Sequence, residues 1–442
     1  MEFQKIKLHR SEKNRAAVTQ ITLDDDYNVP DYRQDIVKVI KERGELRFDE
    51  VKAMEGAAWI KGSLVFKVLY RSDKQEGKIS CLRGEIPFQE RLNMDGLSEY
   101  DAVHATGDME DLTIGVINSR KLNVRAVIVL TASSEKEVDE ELTCELSDGS
   151  SYEQNIVEKE ALKLLVVRRD ICRQKSEAVL PSSKPNIREI LWQSMQLRNV
   201  ESRLVEGNIR LSGEILVSIL YNDEEEGEHL SWYETTVPLD AQAECGVMED
   251  DCIWQVQMVP LTMELEVKPD YDGEERILVM ELALDTHIRI WKEEKIRLLT
   301  DLYSLQKEVK PVFRECPLER LLVKNAAKCR MTEQMELKED KEKVLQICSC
   351  EGKVLLERQE IKTDGVLAEG TVEVNILYIT PDDHMPVGAV QEIYPFSQLV
   401  EIPEMSAQAK VELDASLEQL SAVMLDQEHV EIRAAVRLSL IH

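Results

Sequence analysis

Apolar residues alternate with polar ones in short runs along most of the chain, and one such run occurs three times. Leu64, Phe66, Val68 and Tyr70 share one face of an extended segment. Ile215, Val217, Ile219 and Tyr221, then Val372, Val374, Ile376 and Tyr378, hold the same positions in two later segments. The opposite face carries mixed residues, Lys67, Ser218 and Asn375 among them. Period-two alternation of this kind predicts a strand packed on one side.

The likeness reaches well past that strand. Each run opens on a glycine, in GSLVFKVLY from Gly62, GEILVSILY from Gly213 and GTVEVNILY from Gly370. Seventeen positions after each tyrosine stands a proline, Pro87, Pro238 or Pro395, followed by Phe88, Leu239 or Phe396. Ile36, Ile187 and Val344 each lie 26 residues before the glycine. Pro30 matches Pro181, whereas the third copy has Lys338 there. Val124 to Ala126 and Ile432 to Ala434 both begin 37 residues after the proline, while the second copy needs about four more residues, placed in the turn DYDGEE. Shared registers of this length identify three copies of one unit.

Within a copy, the glycine fits a bulge or tight bend, and the tips SDKQEG, NDEEEGE and TPDDHMPVG turn the chain back as a hairpin. The proline ends the returning strand or sits on an edge, since it has no N–H for a ladder. Upstream, PDYRQDIVKVI and PSSKPNIREIL read as a short helical turn, with Asp35 and Asn186 as N-caps. Ile36, Val39 and Ile40, like Ile187, Ile190 and Leu191, then share a helical face that plugs one end of a sandwich.

With six or seven strands per copy, the expected fold is mainly β: three tandem antiparallel β-sandwich-like domains, each with a short helical turn. The domains are placed at 1–134, 152–300 and 315–442. The polar stretches 133–151 and 301–314 are read as connections. Opening strands are expected near Gln4 to Leu8, Leu162 to Val167 and Arg320 to Lys324.

A chain of 442 residues accommodates three domains of ordinary size, and 43% hydrophobic with 32% charged residues is the composition of a folded chain. The net charge of −30 opposes binding to nucleic acid or to anionic lipid, and favours a partner with basic or apolar surface. The opening MEFQKIKLHRSEKNR lacks the apolar core of a secretory signal. Apolar runs such as Ala126 to Ala132 fall far short of the ~20 residues that span a bilayer. Nine scattered cysteines, an odd number, imply reduced thiols in a cytosolic compartment.

Candidate chemistry is sparse. Cys348-x-Cys350 with Cys329 nearby has the makings of a metal or redox site, but Cys348 takes the apolar position of Ile40 and Leu191 and reads as core. Cys245 and Cys252 read as ordinary thiols. His9, His104, His229, His287, His384, His429 and His442 show no ligand spacing. Asp270-x-Asp272-Gly273-x-Glu275 reads as a hairpin turn rather than a calcium loop. The acidic runs Asp24 to Asp26 and Glu224 to Glu226 read as solvated loops, and the repeated tyrosines as core with the hydroxyl near the strand end. No phosphate loop, dinucleotide fingerprint or nucleophile elbow occurs. No catalytic, cofactor-binding or metal-binding residue is assigned; the partner-binding residues stay unknown.

In the third copy, LERLLVKNAAKCRMTE, VLQICSCEGKVLLE, EGTVEVNILY and YPFSQLVEIP together resemble the SPOCS domain. The same order of a Pro-containing segment, an Ile-rich turn, a Gly-led strand ending in Leu-Tyr and a Pro-Phe strand end extends the resemblance over nearly the whole chain. SPOCS domains typify SipL, a clostridial spore-envelope morphogenesis protein. The resemblance implies a non-enzymatic scaffold without cofactors, in the mother-cell cytoplasm at the forespore surface, with the coat-basement ATPase as protein partner. SipL-like chains usually end in a LysM module implicated in partner binding, whereas this sequence stops at His442, so a weaker hold on that partner is expected. Two other classes stay open: a tandem β-sandwich binding module on the cell surface, and an unrecognised enzyme.

Overall fold

The structure is a computed structural model that describes residues 2–72, 77–147, 152–224, 229–247, 251–306, 308–316, 318–338, 342–402 and 410–441. The expected hairpin tips at 73–76 and 225–228, the stretch 148–151 and His442 lie outside the described residues. Among the described residues the chain is built of strands and turns, without helix.

The first copy comprises β1 (Phe3–Asn28), β2 (Lys38–Met54), β3 (Ala57–Arg71), β4 (Ile79–Asn93), β5 (Val103–Asn118) and β6 (Lys121–Leu146). They pair antiparallel as two three-stranded sheets, β1-β6-β5 and β2-β3-β4. The second copy repeats the plan with β7 (Glu153–Val179), β8 (Ile187–Val205), β9 (Asn208–Asp223), β10 (Leu230–Glu244), β11 (Cys252–Pro269) and β12 (Glu275–Tyr303). The third does so with β13 (Lys324–Glu336), β14 (Gln346–Ile361), β15 (Gly365–Ile379), β16 (Val387–Glu401), β17 (Glu412–Met424) and β18 (His429–Ile441). In every copy the middle hairpin strands form one sheet, the first and last pair form the other, and a core lies between them.

The alternating residues point into those cores. Leu64, Phe66, Val68 and Tyr70 are fully buried with Leu122, Val124 and Ile128 of β6. The tyrosine at the end of the central strand satisfies its hydroxyl the same way each time. Tyr70 donates to the Gln34 carbonyl, Tyr221 to that of Pro185 and Tyr378 to that of Glu342, all at 3.1 Å. A buried aromatic ring thus ties the strand end to the chain entering the sheet, with its hydroxyl paired.

The repeated glycine admits a bulge in the neighbouring strand. The β2 ladder shifts register between Phe48 and Glu50, opposite Gly62, and the β14 ladder shifts between Leu356 and Arg358, opposite Gly370. A Cβ on Gly62 would lie 2.5 Å from the Arg47 carbonyl oxygen, and one on Gly370 2.2 Å from that of Leu355. The bulged backbone therefore occupies the space a side chain would need. Pro87, Pro238 and Pro395 sit on β4, β10 and β16, each an outer strand of its sheet, where the missing N–H costs no ladder bond.

Two local expectations are corrected. The helical turn is a single hydrogen-bonded turn, Arg33 N–H to the Pro30 carbonyl and Lys184 N–H to that of Pro181, leading directly into a strand. Asp35 and Asn186 do not cap a helix; they accept from Arg120 and Arg276, guanidinium groups that also gather the carbonyls of the turn. Ile40, Leu191 and Cys348 are the extra residues of bulges, between Val39 and Lys41, Ile190 and Trp192, and Ile347 and Ser349. A bulge interrupts period two, and the resulting spacing imitates one helical face.

The polar stretch after Ser133 is also not a connection as far as Leu146. It continues β6, paired with β1 down to Phe3. The 301–303 stretch likewise ends β12, paired with β7. These prolonged ladders form two ribbons that bury Leu8, Leu142, Ala161 and Ile296 against one another, with Cys316 and Leu318 alongside. Among the described residues the third copy shows no such ribbon: β13 starts at Lys324, so the opening strand expected near Arg320 to Lys324 begins only at the end of that stretch.

Candidate functional site

Near its tyrosine end, the central strand of each copy is buried on both faces. Leu69, Leu220 and Leu377, which precede the three tyrosines, are 0%, 1% and 1% exposed. They belong to one cluster shared by all three copies. In the register of the tyrosines all its other members but Trp192 and Ile379 also fall into triples: Ile79, Leu230 and Val387; Cys81, Trp232 and Ala389; and the bulged Ile40, Leu191 and Cys348. The expectation of a strand packed on one side holds for the outer parts of β9 and β15; it is corrected here, where Ser218 is buried too, and on β3, where Ser63 and Val65 of the opposite face are buried as well.

The three copies meet cyclically. β4 of the first touches β8 of the second, β10 of the second touches β14 of the third, and β16 of the third touches β2 of the first. Three quasi-equivalent seams thus close a ring around the leucine triple. Narrow space among Trp192, Ser218, Cys348 and Ser349 leaves no room for a water molecule.

One buried polar set breaks the threefold likeness. Glu351 on β14 accepts from Lys41 Nζ at 3.1 Å, from Arg43 Nη1 at 3.2 Å and from Trp192 Nε1 at 3.2 Å. Lys41 also lies 5.2 Å from the centroid of the Trp192 ring, within cation–π range. Lys41 and Glu351 side chains are 7% and 11% exposed, so one carboxylate joins all three copies out of water. Burial works against its ionisation, yet Lys41 and Arg43 outweigh burial and hold its pKa below the ordinary value. Removing one partner of such a set leaves an uncompensated charge, at about 3–5 kcal/mol.

A second polar seam lies between the outer sheets. Glu135 of β6 accepts from Ser11 and pairs with His287 at 3.2 Å and Arg289 at 3.0 Å, both on β12. Arg289 also reaches Glu412 of β17 at 3.5 Å. Burial opposes the Glu135 charge, but the bonds from His287 and Ser11 and the Arg289 guanidinium prevail, taking its pKa from 4.5 to about 2. His104 lies beside Arg169, with its ring 5.9 Å from that of His287, and desolvation, with the nearby Arg169 guanidinium, lowers its pKa.

The residues singled out from sequence fall in ordinary positions. Cys348 is in the shared cluster, and burial pushes the thiols of Cys348 and Cys350 up to about 12. Cys245 and Cys252 line the second core. His9 contacts Asp139, His429 contacts Asp426, and the His384 carbonyl accepts from Arg71. Asp270 caps its own turn by accepting from Asp272 N–H and Glu274 N–H, with Gly273 at φ 83°. Among the described residues no three His, Cys, Asp or Glu side chains are grouped to hold a metal ion, and no helix is long and apolar enough to cross a membrane. Lys41, Arg43, Trp192, Glu351 and Glu135 were not singled out from sequence. The signal was present: Lys41, Trp192 and Ser349 share one register position and differ completely in chemistry.

This geometry defines a tandem β-repeat protein whose copies share one buried centre. Residues 35–117 and 343–425 match the family SipL, SPOCS domain, so the first and third copies carry SPOCS domains and the chain resembles SipL. The match points to a sporulation-related protein. The second copy lies outside the matched residues, yet it has the same six-strand plan and the same tyrosine bond. No curated protein and no solved structure matches the chain.

Proposed function

We propose that this protein is a non-enzymatic protein–protein interaction scaffold in assembly of the endospore envelope and coat. The observation that carries the reading is the closed arrangement of three copies around Glu351, taken with the SPOCS-domain match in two of them. A carboxylate used to fasten repeats together, and tyrosines used to fasten strand ends, are devices of rigidity rather than turnover. Rigid spacing of several like surfaces lets weak contacts add through effective concentration.

In this reading the protein acts in the mother-cell cytoplasm at the forespore surface. Its partner is a protein with basic or apolar surface, in keeping with the chain's charge of −30. The coat-basement ATPase is the partner the resemblance to SipL favours. A fluorescent fusion followed through sporulation, with a pull-down of that ATPase, tests the proposal. Signal encircling the forespore and specific capture are expected. Uniform mother-cell fluorescence, with coat attachment unchanged on deletion, would sink it.

A further inference from the structure

The three seams are built from nearly the same apolar residues, because the leucine, bulge and hairpin positions of the shared centre are apolar in almost every copy. Apolar contact alone therefore gives a copy little means of telling its neighbour in the same chain from a like copy in another molecule. Seams of this head-to-tail kind close a ring or grow into open assemblies, depending on which neighbours they accept. The polar set is where the copies differ. On the three equivalent strands β2, β8 and β14, one register position holds Lys41, Trp192 and Ser349, and the next position on that face holds Arg43, Ser194 and Glu351.

We infer that Glu351, opposed by Lys41 and Arg43 and bonded by Trp192, is the specificity-determining contact that makes each chain close on its own three copies in order. Three third copies around one centre would bring three Glu351 carboxylates together out of water. Three first copies would gather three Lys41 and three Arg43 side chains. Three second copies would crowd three indoles with only the Ser194 hydroxyls in place of the carboxylate. One copy of each kind satisfies the carboxylate, both cations and the indole N–H at once. Discrimination here comes from the charge left unpaired in the wrong assembly, which costs more than the correct pair contributes. The inference is independent of any sporulation role, since it concerns which SPOCS-like copies assemble with one another.

The test uses the full chain in two fluorophore-labelled batches, unfolded in urea, mixed and refolded together, with energy transfer and native mass reporting copies shared between chains. Wild type is expected to share little. Glu351→Lys, which faces Lys41 and Arg43 with a third cation, is expected to raise sharing at least tenfold at equal concentration. Lys41→Glu and Arg43→Glu combined with Glu351→Lys should bring it back toward wild type. Glu351→Gln keeps the size and removes only the charge, so it is expected to fold, as circular dichroism would show, with intermediate sharing. Equal sharing in wild type, Glu351→Lys and Glu351→Gln would overturn the inference, as would lowered stability with no change in sharing.

Discussion

Lys41 Nζ donates to Glu351 Oε1 at 3.1 Å although 310 positions separate them in the chain. Each depends on the other to offset its loss of water. Glu351→Gln is expected to cost about 3–5 kcal/mol, the scale for breaking one side of a buried pair. Replacing Lys41 and Arg43 by Met as well should recover most of that loss, because no unpaired cation then remains. Urea unfolding of the single and triple variants checks the ranking.

The acid limb of stability should carry Glu135. Its pKa is depressed in the folded protein, so its contribution is fully present above the ordinary value of 4.5 and is lost as pH falls toward about 2. The shift corresponds to roughly 2 kcal/mol once partial solvent screening is allowed for. Between pH 5 and 2, Glu135→Gln should lose stability less steeply than wild type. Equal slopes in pH-dependent urea melts would contradict this.

Tyr221→Phe deletes only the hydroxyl that bonds the Pro185 carbonyl, and is expected to cost about 1 kcal/mol. Tyr221→Ala also empties a fully buried site and should cost about 3–5 kcal/mol. Thermal melts that ranked the two variants in reverse would contradict the packing described here.

Gly370→Ala places a methyl group 2.2 Å from the Leu355 carbonyl oxygen and 2.9 Å from the Phe396 ring. The bulge must move, at a cost of about 1–3 kcal/mol, as overpacking does. Gly115→Ala, with nothing within 4 Å, is the control and should stay within about 0.5 kcal/mol.

Cys348 and Cys350, with pKa values pushed up to about 12, should resist alkylation at pH 8 and label fully once the chain is unfolded. Peptide mass mapping of iodoacetamide adducts distinguishes the two conditions.

Leu64 to Tyr70 and its two counterparts were legible in sequence because a strand packed on one face prints its burial as simple alternation. Pro87 and Gly62 were legible too, since each has a backbone peculiarity that only a few places in a sheet accept. Ile36, Val39 and Ile40 misled because the bulged Ile40 adds one residue to the strand, and the altered spacing copies that of a helix. The prolonged β6 was missed for another reason. Lys136, Glu137, Asp139 and Glu141 lie in solvent, so Glu135 to Glu141 looks like a connecting stretch although it is paired throughout. The centre was legible in part: Leu69, Leu220 and Leu377 could be aligned, but what covers their face comes from other copies. That is information on assembly, which the pattern within one strand does not hold.

Closure of the third copy on the first sets a timetable for synthesis. Lys41 on β2 is made early, and its partner Glu351 follows 310 residues later. At translation rates of about 5–20 residues per second, the β2 side of the first copy's inner face, which only the third copy covers, waits roughly 15–60 s for it. That interval is long against the collapse of a single domain, so the nascent first copy presents an apolar face to the cell until the ring can close. Binding of a chaperone to ribosome-bound chains truncated before residue 344 would register that delay directly.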